Sequence, residues 1–130
     1  MGKLGLSLVH VVDDDEAVRD SMRVLLESYG IEVRDYASAR DFLAANLRTL
    51  TGCLLLDLHM PGMTGLELLE QLRRDGSNVP VIIITGRGDS LLKERAVRAG
   101  AMALLDKPVD DDVLLNSLTL ALAAAECRCN

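Results

Sequence analysis

Aromatic residues are scarce in this chain, which has one Phe, two Tyr and no Trp among 130 residues. Little surface is therefore available on which nucleic-acid bases could stack. Positive charge is also in short supply, because 14 Lys and Arg face 20 Asp and Glu and leave a formal net charge of −6. Proteins that bind phosphate backbones carry the opposite excess. Both shortages argue against direct nucleic-acid binding by this domain, and they leave the core to aliphatic side chains.

Long apolar runs and an even set of cysteines are missing too. No run approaches the roughly 18 residues that span a bilayer, and residues 1–8 lack the apolar segment and cleavage site of a signal peptide. The three cysteines, Cys53, Cys127 and Cys129, are an odd number, which argues against a disulfide framework. We expect a cytoplasmic protein with no membrane contact. The two C-terminal cysteines are interpreted as free thiols, with metal binding or an interchain link as the alternative.

The length and composition fit one globular domain over residues 1–130, with 49% hydrophobic and 26% charged residues. Four short aliphatic runs and one weaker run predict strands at 8–12, 32–36, 53–56, 81–84 and 103–105. The aliphatic runs do not alternate strictly between apolar and polar residues, as expected of strands covered by helices on both faces. Helical patterns separate the strands, near 18–29, from 38, and near 65–74, 90–99 and 110–126. We therefore predict an α/β fold, a three-layer α/β/α sandwich around a five-stranded parallel sheet.

Polar residues follow the predicted strands at the same end. In strand order these residues are Asp13 to Asp15, Asp57, Thr85 and, after Asp106, Lys107. The carboxyl ends of parallel strands meet at one edge, where open α/β sheets bind their ligands. Each residue alone is ordinary turn chemistry. Independent turns do not, however, account for three or more carboxylates, a hydroxyl and an ammonium group at one edge.

Clustered carboxylates repel one another and are stabilised by a hard divalent cation, for which Mg²⁺ is the natural choice. A carboxylate beside that ion can attack phosphorus and form an aspartyl phosphate, while a lysine offsets the charge of the phosphoryl oxygens. The Thr85 hydroxyl could donate to one of those oxygens. The pattern contains no evident general base for rapid hydrolysis. The acids at 13–16 argue against a dinucleotide site, and the P-loop pattern is absent.

Four motifs together resemble the receiver domain of two-component response regulators. They read VHVVDDDE at 9–16, LLLDLHMPGMTG at 54–65, IIITG at 82–86 and DKP at 106–108. The likeness runs from about residue 7 to residue 125 and is greatest to FixJ-type receivers, which usually precede a helix-turn-helix output domain. It implies a flavodoxin-like sheet in the order 2-1-3-4-5. We expect either a stand-alone receiver or the receiver portion of a longer regulator with a DNA-binding output domain.

The resemblance also implies a role for each residue at the sheet edge. Asp57 would accept a phosphoryl group from the phosphohistidine of a sensor histidine kinase. Mg²⁺ would be held directly by Asp14, Asp57 and the backbone carbonyl of His59, and mainly through water by Asp13. Lys107 would pair with the phosphoryl group. The domain would catalyse its own phosphotransfer and slow dephosphorylation, and it would otherwise not be an enzyme.

Signal relay is the point at which this chain departs from the family. Thr85 would move toward the new phosphate as a switch, yet Leu104 stands where the family usually has an aromatic residue that follows the threonine. Residues 89–92 also lack the proline that many FixJ-type receivers place at the start of the fourth helix. We still expect phosphorylation to alter the face of the fourth helix, fifth strand and fifth helix, to promote a homodimer and to control transcription. The Lys107–Pro108 bond is expected to be cis.

Two other functions stay open on the sequence. A phosphatase of the haloacid dehalogenase class would use Asp13 as nucleophile and Asp15 as acid catalyst, but it would leave Asp57 without a role. A binding module would keep the fold and signal without phosphorylation, which only Leu104 favours. Of the two histidines, His10 is interpreted as a packed core residue. His59 flanks the site, where its side chain either tunes hydrolysis or is an ordinary loop residue.

Overall fold

The computed structural model describes residues 8–46, 51–86 and 90–128, and the side chains as far as residue 125. Within these residues, five strands alternate with five helices. The strands are β1 Leu8–Val12, β2 Glu32–Tyr36, β3 Cys53–Asp57, β4 Val81–Thr85 and β5 Ala103–Asp106. The helices are α1 Glu16–Glu27, α2 Ala39–Ala45, α3 Gly65–Arg74, α4 Ser90–Arg98 and α5 Asp111–Arg128.

All strands pair in parallel, and their order across the sheet is β2-β1-β3-β4-β5. The predicted α/β fold and its strand order are confirmed. The chain leaves β1 for β2 on one side of the sheet and later returns to place β3 on the other side. The carboxyl ends of β1 and β3 are therefore neighbours from which the connections diverge, which is where such sheets bind ligands.

Two separate hydrophobic clusters fill the space above and below the sheet. Successive residues of a strand point to opposite faces. Leu54 and Leu56 therefore join one cluster, with α2, α3 and part of α4, while Cys53 and Leu55 join the other, with α1 and α5. Phe42 is the one phenylalanine of the chain, and it is fully buried in the first cluster. Aliphatic residues make up most of both clusters, as the composition predicts.

Three strands extend one residue beyond their predicted ends. The ladder continues through Asp57, which pairs with Ile84, and through Thr85, which pairs with Asp106. The prediction ended these strands too early because it treated the polar residues as the beginning of turns. They belong to the sheet instead, so the Asp57 and Thr85 side chains project from hydrogen-bonded strands and not from loops.

His10 is a core residue, as predicted, and is 1% exposed. Its Nε2 lies 3.0 Å from the Thr51 carbonyl, and its Nδ1 lies 3.1 Å from the Tyr36 hydroxyl. A carbonyl can only accept, so Nε2 donates and Nδ1 accepts from Tyr36. The imidazole ring also stacks with Tyr36 and meets Phe42 edge to face. Both ring nitrogens are thus satisfied by a neutral imidazole, and a second ring proton would disrupt the Tyr36 contact.

One of the three cysteines, Cys53, has its side chain within the described residues. Cys53 is a buried free thiol, and burial raises its pKa to about 12, which keeps it protonated. The side chain of Cys127 and the whole of Cys129 lie outside the described residues. Within the described part of the chain, no helix has both the length and the apolar character needed to traverse a bilayer.

The first prediction concerns His10 and acid pH. Burial lowers the pKa of His10 below the ordinary 6.5, so the unfolded chain takes up a proton more readily than the folded one. The stabilisation is present above the unfolded pKa and is lost as the pH falls below it. We expect urea unfolding to show that the wild type loses about 1 kcal/mol more than His10→Gln between about pH 7.5 and about pH 5.5. Equal losses in the two proteins would contradict this account.

Candidate functional site

Three acidic side chains meet at the carboxyl edge between β1 and β3. One carboxylate oxygen from each of Asp13, Asp14 and Asp57 lies within 4.8 Å of the other two. Asp13 and Asp57 are buried, with 4% and 5% exposure, while Asp14 is open to solvent. Oxygens that share one Mg²⁺ at about 2.1 Å lie about 3 to 4 Å apart, so small side-chain adjustments suffice. The donor set consists of hard oxygen ligands, which fits Mg²⁺.

Hydrogen bonds to backbone groups hold Asp13 directly after the carboxyl end of β1. Its amide donates to the Tyr36 carbonyl over 3.2 Å, which continues the pairing of β1 with β2. Its carboxylate oxygen Oδ1 accepts from the Asp15 amide at 2.9 Å. Asp15 itself caps α1, and its Oδ1 accepts from the amides of Ala17 and Val18. The Asp15 carboxylate therefore serves the end of the helix, which does not suit the acid-catalyst role that a dehalogenase-class phosphatase would give it.

Asp57 ends β3 with its carboxylate between an amide and an ammonium group. Its Oδ1 lies 3.4 Å from the His59 amide and 3.5 Å from Lys107 Nζ. The lysine reaches the site from the loop after β5, where its own amide donates to the Thr85 carbonyl over 2.9 Å. The bond between Lys107 and Pro108 is cis, as predicted. The structure thus places the Lys107 ammonium group beside the Asp57 carboxylate. Lys107 follows β5, which lies on the other side of β3 from β1.

Both buried carboxylates have raised pKa values. Burial is the main cause for Asp57, whose pKa stays above the ordinary value although Lys107 and the His59 amide act to lower it. Burial is also the main cause for Asp13, where the Asp15 amide lowers the pKa and repulsion from Asp57 raises it. The positive charge of Lys107 does not fully offset the free-energy cost of burying two carboxylate charges. A divalent cation beside them would offset it, and it would favour the ionised form of each carboxylate.

The two residues predicted to relay the signal lie on β4 and β5. Thr85 is fully buried, and its hydroxyl donates to the Gly86 carbonyl over 2.9 Å. Leu104 is half-buried on β5 and packs against the cluster that contains α3 and part of α4. Asp106 is turned to solvent and forms an ion pair with Lys93 of α4. Residues 87–89, which include part of the loop between β4 and α4, lie outside the described residues.

Gly65 supports the site, although the sequence suggested nothing more than the start of a helix there. Its amide donates to the Leu58 carbonyl over 3.0 Å, so α3 begins directly against the end of β3. A Cβ at this position would lie 2.2 Å from the Asp57 carbonyl oxygen. Thr64 and Glu67 close the helix end as a reciprocal capping box. The T-x-x-E spacing in the sequence indicates the cap, whereas no sequence pattern indicates the contact between Gly65 and Asp57.

Several solved structures that superpose on this chain are response regulators or receiver domains. The low-resolution structure of response regulator StyR superposes with a TM-score of 0.88 at 41% identity, covering 94% of this chain and 62% of that one. Full-length FixJ from B. japonicum superposes with a TM-score of 0.86 at 39% identity, and the match covers 92% of this chain and 59% of that one. A CheY-like receiver domain protein from Methanospirillum hungatei also gives 0.86, at 32% identity, and the match covers 94% of this chain and 98% of that one.

The chain belongs to the response regulator receiver domain family, whose family model matches residues 9–119. It is 44% identical over 114 residues to the transcriptional regulatory protein FixJ of Azorhizobium caulinodans, a match that covers 88% of this chain and 54% of that protein. The response regulator protein TodT of Pseudomonas putida is 38% identical over 119 residues, with coverage of 92% and 52%. The chain thus spans about half the length of these curated relatives. It is a signalling domain.

The second prediction tests the close approach at Gly65. In Gly65→Ala the new methyl group meets the Asp57 carbonyl, so α3 or the end of β3 must shift. We expect the free energy of unfolding to fall by about 2 kcal/mol in urea titrations. Gly86→Ala is the matched control, because a Cβ there meets nothing within 4 Å, and its change should stay below about 0.5 kcal/mol. Equal stability of Gly65→Ala and the wild type would show that the contact is not tight.

Proposed function

We propose that Asp57 accepts a phosphoryl group from the phosphohistidine of a sensor histidine kinase. The observation that carries the proposal is the placement of one buried carboxylate within reach of two other acids and of Lys107. Asp57 projects from a strand and is therefore held rigidly for attack. Asp13 and Asp14 come from a different strand end, so the divalent cation would bridge two elements of the sheet.

The transfer moves one phosphoryl group between two proteins. An oxygen of the Asp57 carboxylate forms a bond to phosphorus as the bond between phosphorus and the imidazole nitrogen breaks. The electron pair of the broken bond stays on the imidazole of the kinase. Lys107 is placed to pair with a phosphoryl oxygen, because its Nζ already lies 3.5 Å from Asp57 Oδ1. The product is an acyl phosphate on Asp57, and no water or other co-reactant is consumed.

The metal proposed for the site is Mg²⁺, with Asp14, Asp57 and the backbone carbonyl of His59 as direct ligands. Asp13 would hold it mainly through water. When bound, Mg²⁺ supplies positive charge opposite the phosphoryl oxygens. The residues themselves keep the site ordered: Asp13 is fixed at both its amide and its carboxylate, and the His59 amide stays close to Asp57. Asp14 is exposed and is free to close on the ion.

The phosphorylated state is proposed to decay slowly by the domain's own dephosphorylation. The sequence places no evident general base beside Asp57, and the exposed His59 side chain is the nearest imidazole along the chain. The neighbours of the acyl phosphate therefore bind and orient it without activating water efficiently. No other catalytic activity is proposed for the domain.

The output is proposed to pass through the surface of α4, β5 and α5 and to control transcription. Thr85 would turn its hydroxyl from the Gly86 carbonyl toward the phosphate. Large apolar side chains already lie exposed on this surface, including Leu91 and Val97 of α4. The relatives named as transcriptional regulators support transcription as the output, and a DNA-binding domain would then belong to the whole protein.

The third prediction is the phosphorylation itself. With phosphoramidate and millimolar Mg²⁺, we expect intact mass spectrometry to show one added phosphoryl group on the wild type. Asp57→Asn should show none, because an amide is not a nucleophile toward phosphorus, and removal of Mg²⁺ with a chelator should also abolish the product. Asp15→Asn should still be labelled, since the Asp15 side chain caps α1 and the backbone amide that bonds to Asp13 is kept. Steady phosphate release by Asp57→Asn would instead favour the phosphatase, and unlabelled wild type that also fails to bind Mg²⁺ would favour the binding module.

The fourth prediction concerns assembly. Beryllofluoride with Mg²⁺ mimics the phosphoryl group, and we expect it to convert monomer to dimer in sedimentation velocity. Val97→Glu should prevent this change, because it places a charge on the exposed apolar face of α4. Val24→Glu is the matched control on α1, where the side chain is similarly exposed, and it should dimerise like the wild type. Equal sedimentation with and without the mimic would contradict the proposed dimer.

A further inference from the structure

Arg19 connects α1, β2 and the acidic loop of residues 13–15 through one guanidinium group. Its Nε donates to Asp35 Oδ2 at 3.0 Å, and its Nη1 donates to the backbone carbonyl of Asp13 at 2.8 Å. Its side chain is only 14% exposed, which is low for an arginine. The planar guanidinium reaches both partners in a fixed orientation. Neither contact is needed for the phosphotransfer chemistry described above, which leaves the purpose of this arginine unexplained.

Asp35 holds the arginine in this orientation. It lies on β2, and its other oxygen, Oδ1, pairs with Arg23 one helical turn after Arg19. Arg23 also donates to the Val33 carbonyl and to Glu27, so it has contacts of its own. Although burial alone would raise the pKa of Asp35, hydrogen bonds from Arg23 and Arg19 keep it below the ordinary value. Asp35 is therefore ionised at neutral pH and anchors both arginines.

The Arg19 contact lies where the acidic loop leaves the sheet. β1 ends at Val12, and the Asp13 amide still bonds to the Tyr36 carbonyl. The Asp13 carbonyl then turns toward α1, where Arg19 binds it. The peptide plane between Asp13 and Asp14 is thus held by its carbonyl oxygen. The direction of that plane sets where both acidic side chains point.

We propose that Arg19 is a positioning residue that sets the affinity of the site for its divalent cation. It does so through the Asp13 carbonyl, and Asp35 keeps it in place. This inference rests on the proposed function, since it concerns how well Asp13 and Asp14 present their oxygens to the ion. Arg19 contacts neither the ion nor the phosphoryl group.

Removing Arg19 would change the Mg²⁺ affinity in opposite directions, depending on whether its charge or its hold on the Asp13 carbonyl dominates. A cation close to the site repels Mg²⁺, so if charge dominated, removing Arg19 would tighten binding. The Asp35 carboxylate lies 3.0 Å from the guanidinium and largely cancels its field. If position dominates, removing Arg19 frees the Asp13 carbonyl and weakens binding. Supporting groups around metal ligands are typically worth 10-fold or more in affinity, about the size expected here.

The fifth prediction is measured by isothermal titration calorimetry with Mg²⁺ alone, on the full chain and without a phosphodonor. Arg19→Ala should bind Mg²⁺ about tenfold more weakly than the wild type. Arg19→Lys should be weakened almost as much, because lysine keeps the charge but loses the two-pronged geometry. Asp35→Ala should fall between Arg19→Ala and the wild type. Arg23→Ala is the matched control, since it also loses an ion pair with Asp35 but has no contact with Asp13, and its affinity should stay within about twofold.

Stability is measured in parallel by urea unfolding without Mg²⁺, so that a folding defect is separated from a positioning defect. A purely structural role would lower stability and leave the Mg²⁺ affinity of the folded fraction unchanged, which would overturn the proposal. Tighter binding by Arg19→Ala would overturn it as well. The double variant Arg19→Ala with Asp35→Ala should bind no more weakly than Arg19→Ala alone, because both changes release the same carbonyl.

Three further outcomes also decide between the explanations. If Arg19→Ala does not fold, Arg19→Lys and Asp35→Ala carry the comparison, and unchanged affinity in both would count against the proposal. If the wild type itself does not bind Mg²⁺ at millimolar concentration, the proposed function of the site fails together with this inference. If the wild type binds and every variant binds equally well, only the role of Arg19 fails.

Discussion

The burial of neighbouring carboxylates is the constraint on which the site depends. Asp13 and Asp57 are almost entirely removed from water, burial raises the pKa of each, and repulsion from Asp57 raises that of Asp13 further. Lys107 relieves this only in part, at 3.5 Å from one oxygen. Added positive charge would therefore stabilise both carboxylates in their ionised form. The three acids form a cluster that could hold a metal ion.

The parallel sheet makes this arrangement possible because it places two distant chain segments side by side. β1 and β3 are neighbours although a strand and two helices separate them in sequence. The acids at their ends are then fixed by different means. Asp57 is part of the β3 ladder and is backed by Gly65, whereas Asp13 lies just past the β1 strand and is held by backbone contacts with Tyr36 and Arg19.

The sheet and the acidic edge could be predicted from sequence because each has a local signal. Strands buried on both faces form short aliphatic runs, and the polar residues after them all lie at one end. The strand ends were misjudged by one residue because a polar side chain in a ladder looks like the start of a turn. Gly65 against Asp57, and Arg19 bound to Asp35 across 16 positions, depend on contacts between elements, so no local pattern could reveal them.

The division of the core into two clusters bears on how such a domain can be adapted. Among the described residues, the cluster beside α1 and α5 and the cluster beside α2, α3 and part of α4 lie on opposite faces of the sheet. On β5, Leu104 packs against the second cluster and Leu105 belongs to the first. The three clustered acids lie at the carboxyl edge of the sheet and belong to neither cluster. One helical layer can therefore be repacked by substitution while the acidic edge keeps its residues.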